Sequence, residues 1–207
     1  MSKPGTYTRE YVVETALRIL DEFGLADLSM RRLAGVLDVQ PSALYWHVPN
    51  KQTLLALVAN KIIERAAPVD AAAFGDWQSR TLAESIAIRN ALLAYRDGAE
   101  VVSSTLALGL GADEALARIR VGIDSVCPGE EVARVSAESI LFLILGQVWH
   151  EQQRMQADSL GVVAPAVELA ASSATGAGAD AGDSLGFAIK LILDGLEKKL
   201  TLNHESR

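Results

Sequence analysis

The chain has 207 residues, half of them hydrophobic and only 5% aromatic, with 19 Lys and Arg against 26 Asp and Glu and a formal net charge of −7. That is enough apolar side chain for one or two domains with a real core, and positive mean hydropathy with abundant Ala and Leu predicts a compact all-α protein. One cysteine, Cys127, excludes an internal disulfide framework. The start Met1-Ser2-Lys3-Pro4 lacks the apolar run of a signal peptide, and the richest apolar run, Ile140 to Leu145, is far shorter than the ~18 residues of a membrane helix. A cytoplasmic protein with no membrane partner is expected.

The acidic total is unevenly spread. Residues 1 to 65 carry eight Lys and Arg against seven Asp and Glu, which leaves eleven against nineteen for the rest. Phosphate contacts need cations and supply most non-specific affinity for nucleic acid. The first segment can therefore meet DNA, with modest non-specific affinity and a strong salt dependence.

In chain order, Thr8 to Phe23 is amphipathic, with Val13, Leu17 and Leu20 on one face, Thr8 as cap and Gly24 as stop. Ser29 to Leu37 reads as a second helix with Leu33, Ala34 and Leu37 on its inward stripe and Ser29 as cap. Asp38-Val39-Gln40 is a tight turn, Pro41 restarts a short helix reaching about Val48, and Asn50 caps a connector helix running to about Arg65. Helix, three-residue turn, short helix is a helix-turn-helix, spanning about 29 to 48. The run Leu44-Tyr45-Trp46-His47-Val48-Pro49-Asn50-Lys51 packs aromatic rings and a Lys into that short helix and its exit, as a DNA-reaching segment requires. Tyr45 and Trp46 also fit a reading as core aromatics, although turn and charged residues bracket so short a helix.

A linker containing Pro68 runs from Ala66 to Gly75, and helical patterns follow at about 76–96, 99–107, 112–126 and 129–156. The run from Ala171 to Gly182 cannot bury apolar area, so a mobile loop is expected at about 171–183. Phe187, Leu191, Leu193, Leu196 and Leu200 mark a final helix. The division expected is a DNA-binding domain over 1–65 and a larger domain over 66–207. The helices from Gly129 and from Ser184 are unusually apolar, which suits either burial within one subunit or a four-helix interface between two copies.

Three separated motifs, in order, resemble the tetracycline-repressor (TetR) family of bacterial transcription regulators, and its tetracycline-repressor class in particular. They are Leu44-Tyr45-Trp46-His47-Val48 followed by Asn50-Lys51, then Leu92-Leu93-Ala94-Tyr95-Arg96-Asp97-Gly98-Ala99, then Gly195-Leu196-Glu197-Lys198-Lys199-Leu200. The resemblance implies an all-α fold with an N-terminal helix-turn-helix and a helical ligand-binding and dimerisation domain. It implies that Tyr45, Trp46, His47 and Lys51 lie at the DNA, that Arg31 reads a base edge, and that Gln40, Ser42 and Ala43 open the recognition helix. Pro41, Ser42 and Ala43 stand where the tetracycline repressors have Gln, Pro and Thr, so a different operator is expected.

On the ligand side the resemblance implies Thr105, Gln147, Trp149 and His150, of which Trp149 and His150 equally fit packing with a polar rim. Val102 stands where those repressors have the His that binds the drug's magnesium, Ala67 where they have a second ligand-binding His, and Glu84 and Ile88 where they have Asn and Phe. Magnesium-tetracycline is therefore not the expected inducer. The chain has no metal-ligand spacing, no Gly-rich phosphate loop and no nucleophile paired with a base, so neither enzyme nor cofactor is expected. The expected function is a homodimeric repressor that binds a palindromic operator and is released by a small, largely apolar molecule. A helical carrier or enzyme working in the acidic segment, and a regulator that needs no ligand, are the alternatives.

Overall fold

A computed structural model of the protein describes residues 7–159, 161 and 181–205, the side chains of 181–183 and 203–205 excepted. Nine α-helices are described: α1 (Arg9–Phe23), α2 (Met30–Val36), α3 (Pro41–Leu44), α4 (Lys51–Glu64), α5 (Trp77–Leu93), α6 (Gly98–Ala107), α7 (Asp113–Asp124), α8 (Glu130–Ser159) and α9 (Ala181–Glu205). One 3-10 turn, Ala71–Ala73, interrupts the linker, and no strand occurs among the described residues. The expected loop at 171–183 lies outside the described residues apart from its last three positions, which already form the first turn of α9.

The chain divides into two compact units, one of Met1–Ala66 with Asn90–Ala115 and one of Ala67–Arg89 with Leu116–Arg207. Residues 90–115, placed by sequence in the larger domain, thus fall with the N-terminal helices. The cause is α6, whose Ala99, Val101 and Val102 are buried as it packs on α4, where Val58, Ala59, Ile62 and Ile63 are buried.

Local chemistry sets the helix ends of the first unit. The side chains of Thr8, Ser29 and Asn50 accept from the N–H groups of Tyr11, Arg32 and Thr53, so each satisfies a donor that the first helical turn cannot. Gly24 stops α1 at φ 84. Immediately after it, the Leu25 N–H donates to Asp97 Oδ2 at 2.8 Å, a bond across 72 residues. Asp97 is itself left-handed, at φ 55, and Gly98 then lies so close to Leu92 that a Cβ would stand 2.4 Å from its carbonyl oxygen. The Arg96-Asp97-Gly98 segment is therefore a structural corner: it seats the start of α6 against the end of α5 and the exit of α1.

One sequence expectation is shortened. The recognition helix was placed over Pro41 to about Val48, yet α3 ends at Leu44 and Tyr45 to His47 form a turn whose His47 and Val48 N–H groups both donate to the Leu44 carbonyl. Pro49 disfavours helical backbone at the residue before it, so the chain tightens rather than continuing.

In the second unit, α7 crosses α5 at Gly122, where a Cβ would stand 2.2 Å from Thr81 Oγ1 and 2.8 Å from the Trp77 carbonyl. Helices α8 and α9 pack together. The inward stripe of α8 holds Ala133, Ala137, Ile140, Leu141, Ile144, Leu145 and Val148, and that of α9 holds Leu185, Ile189, Leu193 and Leu196. Both helices keep an outward apolar stripe as well: Val135, Phe142 and Trp149, each seven residues apart, on α8, and Phe187, Leu191 and Leu202 on α9. Two apolar stripes make α8 long and apolar enough to cross a membrane by length and composition, at a mean hydropathy of 1.4 over 18 residues. The inward stripe accounts for part of that value, as it does in any core helix.

Candidate nucleic-acid interface and ligand-side residues

The helix-turn-helix is built on four large buried aliphatic side chains, Leu33 from α2, Leu37 at its C-cap, Leu44 from α3 and Val48 beyond it. Burying each contributes about 1.5–3 kcal/mol. With these and Ala34 turned inward, the polar and aromatic residues of the segment face out. Arg31, Gln40, Ser42 and Ala43 are exposed, Tyr45 is 52% exposed, Trp46 is 91% exposed, and His47 and Lys51 are half-buried. Asp38 makes the reversal between α2 and α3 at φ 53, a left-handed position Asp tolerates. The Asn50 side chain also accepts from the Thr53 hydroxyl at 3.0 Å, which fixes the first turn of α4 and with it the position of Lys51.

Two adjacent arginines on α2 have opposite circumstances. Arg32 is held by Asp27 at 2.6 Å and lies over the Phe23 ring with 3.8 Å to its centroid, so it fastens α2 to the end of α1. Arg31 points outward. A nearly fully exposed indole next to exposed Tyr45 and an outward Arg31 is a surface with large unspent contact area and positive charge. Aromatic and guanidinium groups of that kind suit phosphate and base edges.

The ligand-side residues do not gather in one unit. Thr105 belongs to the first unit and is buried; its hydroxyl lies 3.1 Å from the Val101 carbonyl and 3.0 Å from that of Val102, to which it donates. Val102, where a magnesium-binding His was expected to be lost, is fully buried. Gln147, Trp149 and His150 belong to the second unit, on α8. Gln147 is half-buried, whereas Trp149 and His150 are exposed and meet edge to face with ring centroids 5.1 Å apart. Trp149 stands on the outward stripe with Val135 and Phe142.

Three arginines of the second unit are held in ion pairs. Arg89 binds both oxygens of Glu151 on α8, and Arg120 binds Asp124 and Glu130, which raises the Arg120 pKa and lowers that of Glu130. Arg118 binds Glu84 on α5, where the Glu84 side chain is 8% exposed and that of Arg118 14%. Two positions went unread in sequence. Arg65, just past α4, binds Glu14 at 2.6 Å and the Tyr95 hydroxyl, contacts that raise its pKa with the Tyr95 bond foremost. Lys61 sits among Glu10, Glu14 and Glu64, with Glu64 the main cause of its raised pKa. The i to i+3 spacing of Lys61 and Glu64 was the only signal available for either. Among the described residues, no three His, Cys, Asp or Glu side chains gather in a way that could hold a metal.

Comparison with known proteins matches residues 12–58 to bacterial regulatory proteins of the tetR family and residues 70–200 to the tetracyclin repressor-like C-terminal domain. The chain is 34% identical to the tetracycline repressor protein class C of Escherichia coli, over 94% of this chain and 93% of that one. Among solved structures it resembles Mycobacterium smegmatis BioQ, with 35% identity, a TM-score of 0.79 and coverage of 92% of this chain and 98% of that one. It also resembles BioQ bound to its natural double-stranded DNA operator, with 33% identity, a TM-score of 0.73 and the same coverage.

Proposed function

The chain belongs to the tetR family of bacterial regulatory proteins, and from that premise we propose that it is a homodimeric repressor whose grip on a palindromic operator is released by a small molecule. The observation that carries the reading is the helix-turn-helix surface: Trp46 at 91% exposure, beside exposed Tyr45, with Arg31 outward while its neighbour Arg32 is tied down. In this reading Arg31, Gln40, Ser42 and Ala43 face base edges, and Tyr45, Trp46, His47 and Lys51 meet backbone and groove walls. Its DNA-bound relative BioQ supports the placement by likeness of fold.

Dimerisation is supported by the outward stripes of α8 and α9, which leave Phe142, Trp149, Phe187 and Leu191 uncovered. A four-helix contact between two copies would bury them and set two recognition helices about 34–36 Å apart, one helical turn of DNA. The ligand acts by linkage: it binds the geometry that does not fit the operator more tightly than the one that does, and near-complete release needs a preference of roughly 10⁴-fold. Magnesium-tetracycline is a poor candidate, because Val102 offers no metal ligand and Glu84 is already engaged by Arg118.

The test is selection of random duplex DNA by the purified protein, repeated with the Tyr45→Ala, Lys51→Ala double variant and at rising salt. A palindrome bound with steep salt dependence and lost in the variant is the expected result. A folded dimer that enriches no sequence refutes the proposal.

A further inference from the structure

The chain passes from the first unit to the second between Ala66 and Ala67, and an arginine grips it on each side of that step. On the first-unit side, Arg65 is tethered to Glu14 of α1 at 2.6 Å and to the Tyr95 hydroxyl at the turn before α6. On the second-unit side, Arg118 of α7 donates through Nη2 to the Ala67 carbonyl at 2.8 Å, a bond across 51 residues. That guanidinium is itself held by Glu84 of α5, with Nε and Nη2 both 2.7 Å from Oε2.

We propose that Arg118 is a positioning residue for operator binding: by clamping the Ala67 carbonyl it fixes the path on which the chain leaves the connector helix α4. The physical grounds are burial and reach. A charge-assisted bond to a carbonyl is roughly twice as strong as a neutral one, and although the Ala67 carbonyl is exposed, the Arg118 side chain that donates to it is only 14% exposed. The Glu84 side chain is 8% exposed and so cannot easily abandon its partner for solvent. Ala67 offers no side chain of its own to hold, and Pro68, which follows it, has no N–H to donate, so the carbonyl is the natural handle in this stretch.

The inference rests on the homodimeric, palindrome-binding reading, because it concerns spacing. One recognition head meets one half-site whatever path the connector takes, whereas two heads on one palindrome need both connectors on the competent path. Apparent affinity falls by the fraction of molecules that are competent, so a connector on that path in about one molecule of five loses about fivefold.

The experiment measures binding of the full-length protein to a selected palindrome and to a duplex carrying one half-site, for wild type, Arg118→Gln, Arg118→Lys and Glu84→Gln. The expected result is a fall of at least about fivefold on the palindrome with Arg118→Gln and no change on the half-site. Partial recovery is expected with Arg118→Lys, whose ammonium can still reach one partner, and an intermediate loss with Glu84→Gln. Equal loss on both duplexes means Arg118 serves folding alone and overturns the proposal, as does an unchanged palindrome. If Arg118→Gln does not fold, Glu84→Gln decides by the same ratio. A wild-type protein with no preference for the palindrome would instead overturn the dimeric reading beneath it.

Discussion

Replacing Gly98 by Ala tests the corner that joins α5 to α6. The added methyl would sit 2.4 Å from the Leu92 carbonyl oxygen, 3.3 Å from its carbon and 3.5 Å from its Cα. Favourable carbon to oxygen contacts begin near 3.3 Å, so the shortfall is close to 1 Å, and the obstacle is backbone that no rotamer change can clear. The turn is pinned on both sides, by the Gly98 N–H donating to the Tyr95 carbonyl at 3.0 Å and by Asp97 on Leu25 at 2.8 Å. Overpacking costs about 1–3 kcal/mol, and rigid surroundings put this site at the upper end. For a chain of this length each kcal/mol lowers Tm by about 2–4 °C, so Gly98→Ala should melt roughly 6–12 °C below wild type. Circular dichroism melts measure this, with Gly35→Ala as the control. Gly35 is helical with nothing within 4 Å of an added Cβ, so the same change there should stabilise by about 0.5–1 kcal/mol. A Gly98→Ala protein melting at or above wild type would refute the reasoning.

Asp97→Ala strands the Leu25 N–H at a cost of about 1–3 kcal/mol and adds about 1 kcal/mol for Ala in left-handed backbone, whereas Asp97→Asn keeps both acceptor and conformation; denaturant titration should separate the two clearly. Arg31→Ala should abolish operator discrimination without moving Tm, and Arg32→Ala should lower Tm through loss of Asp27 and Phe23; gel shifts and melts on the same two proteins would expose a reversed assignment. Phe142→Asp, on the outward stripe of α8, should yield monomer in sedimentation while the isolated subunit keeps its helicity. Asp76 accepts from the N–H and hydroxyl of Ser79, which lowers its pKa below 3.8. A carboxylate depressed by folding stabilises above its unfolded pKa and loses that contribution as pH falls through the folded value, so Asp76→Asn should flatten the drop in Tm below about pH 4.

What was legible in the sequence was what local chemistry decides. Thr8, Ser29 and Asn50 were read as caps and act as caps, Gly24 was read as a stop and Asp38 at a reversal and both occupy positive φ, and helical periodicity put Leu33, Ala34 and Leu37 on an inward stripe where all three are buried. What was not legible depends on which distant residue answers. The Arg96-Asp97-Gly98 segment stood out only through its resemblance to a family motif, and nothing local tells that Asp97 meets an N–H 72 residues away. Periodicity shows that α6 has an apolar face but not that α4 covers it. Arg118 and Glu84 are 34 residues apart and look like two ordinary surface charges until α5 and α7 cross. Trp149 stands seven residues from Phe142 and fourteen from Val135, a spacing that puts it on their stripe.

The buried polar groups of both units bear on which molecule could act as the proposed inducer. Thr81, Ser85 and Thr105 are buried hydroxyls, and each gives its proton to a carbonyl of its own helix: Thr81 to Trp77, Ser85 to Thr81, and Thr105 to Val101 and Val102. A hydroxyl so engaged offers lone pairs to a newcomer, and it must give up a formed bond before it can donate. Glu84 is committed to Arg118, and Ile88 and Val102 are fully buried and apolar. Within either unit taken by itself, such positions favour apolar surface with few acceptors, and penalise a chelate rich in carbonyl and enolate oxygens that arrives with its own hydrated cation. A ligand at 100 times its Kd stabilises by about 2.7 kcal/mol, which for this chain is a rise in Tm of about 5–11 °C. Tetracycline with magnesium, at concentrations saturating for a tight site, should leave Tm unmoved and operator binding intact. A rise of that size, abolished by removing magnesium, would refute this reading.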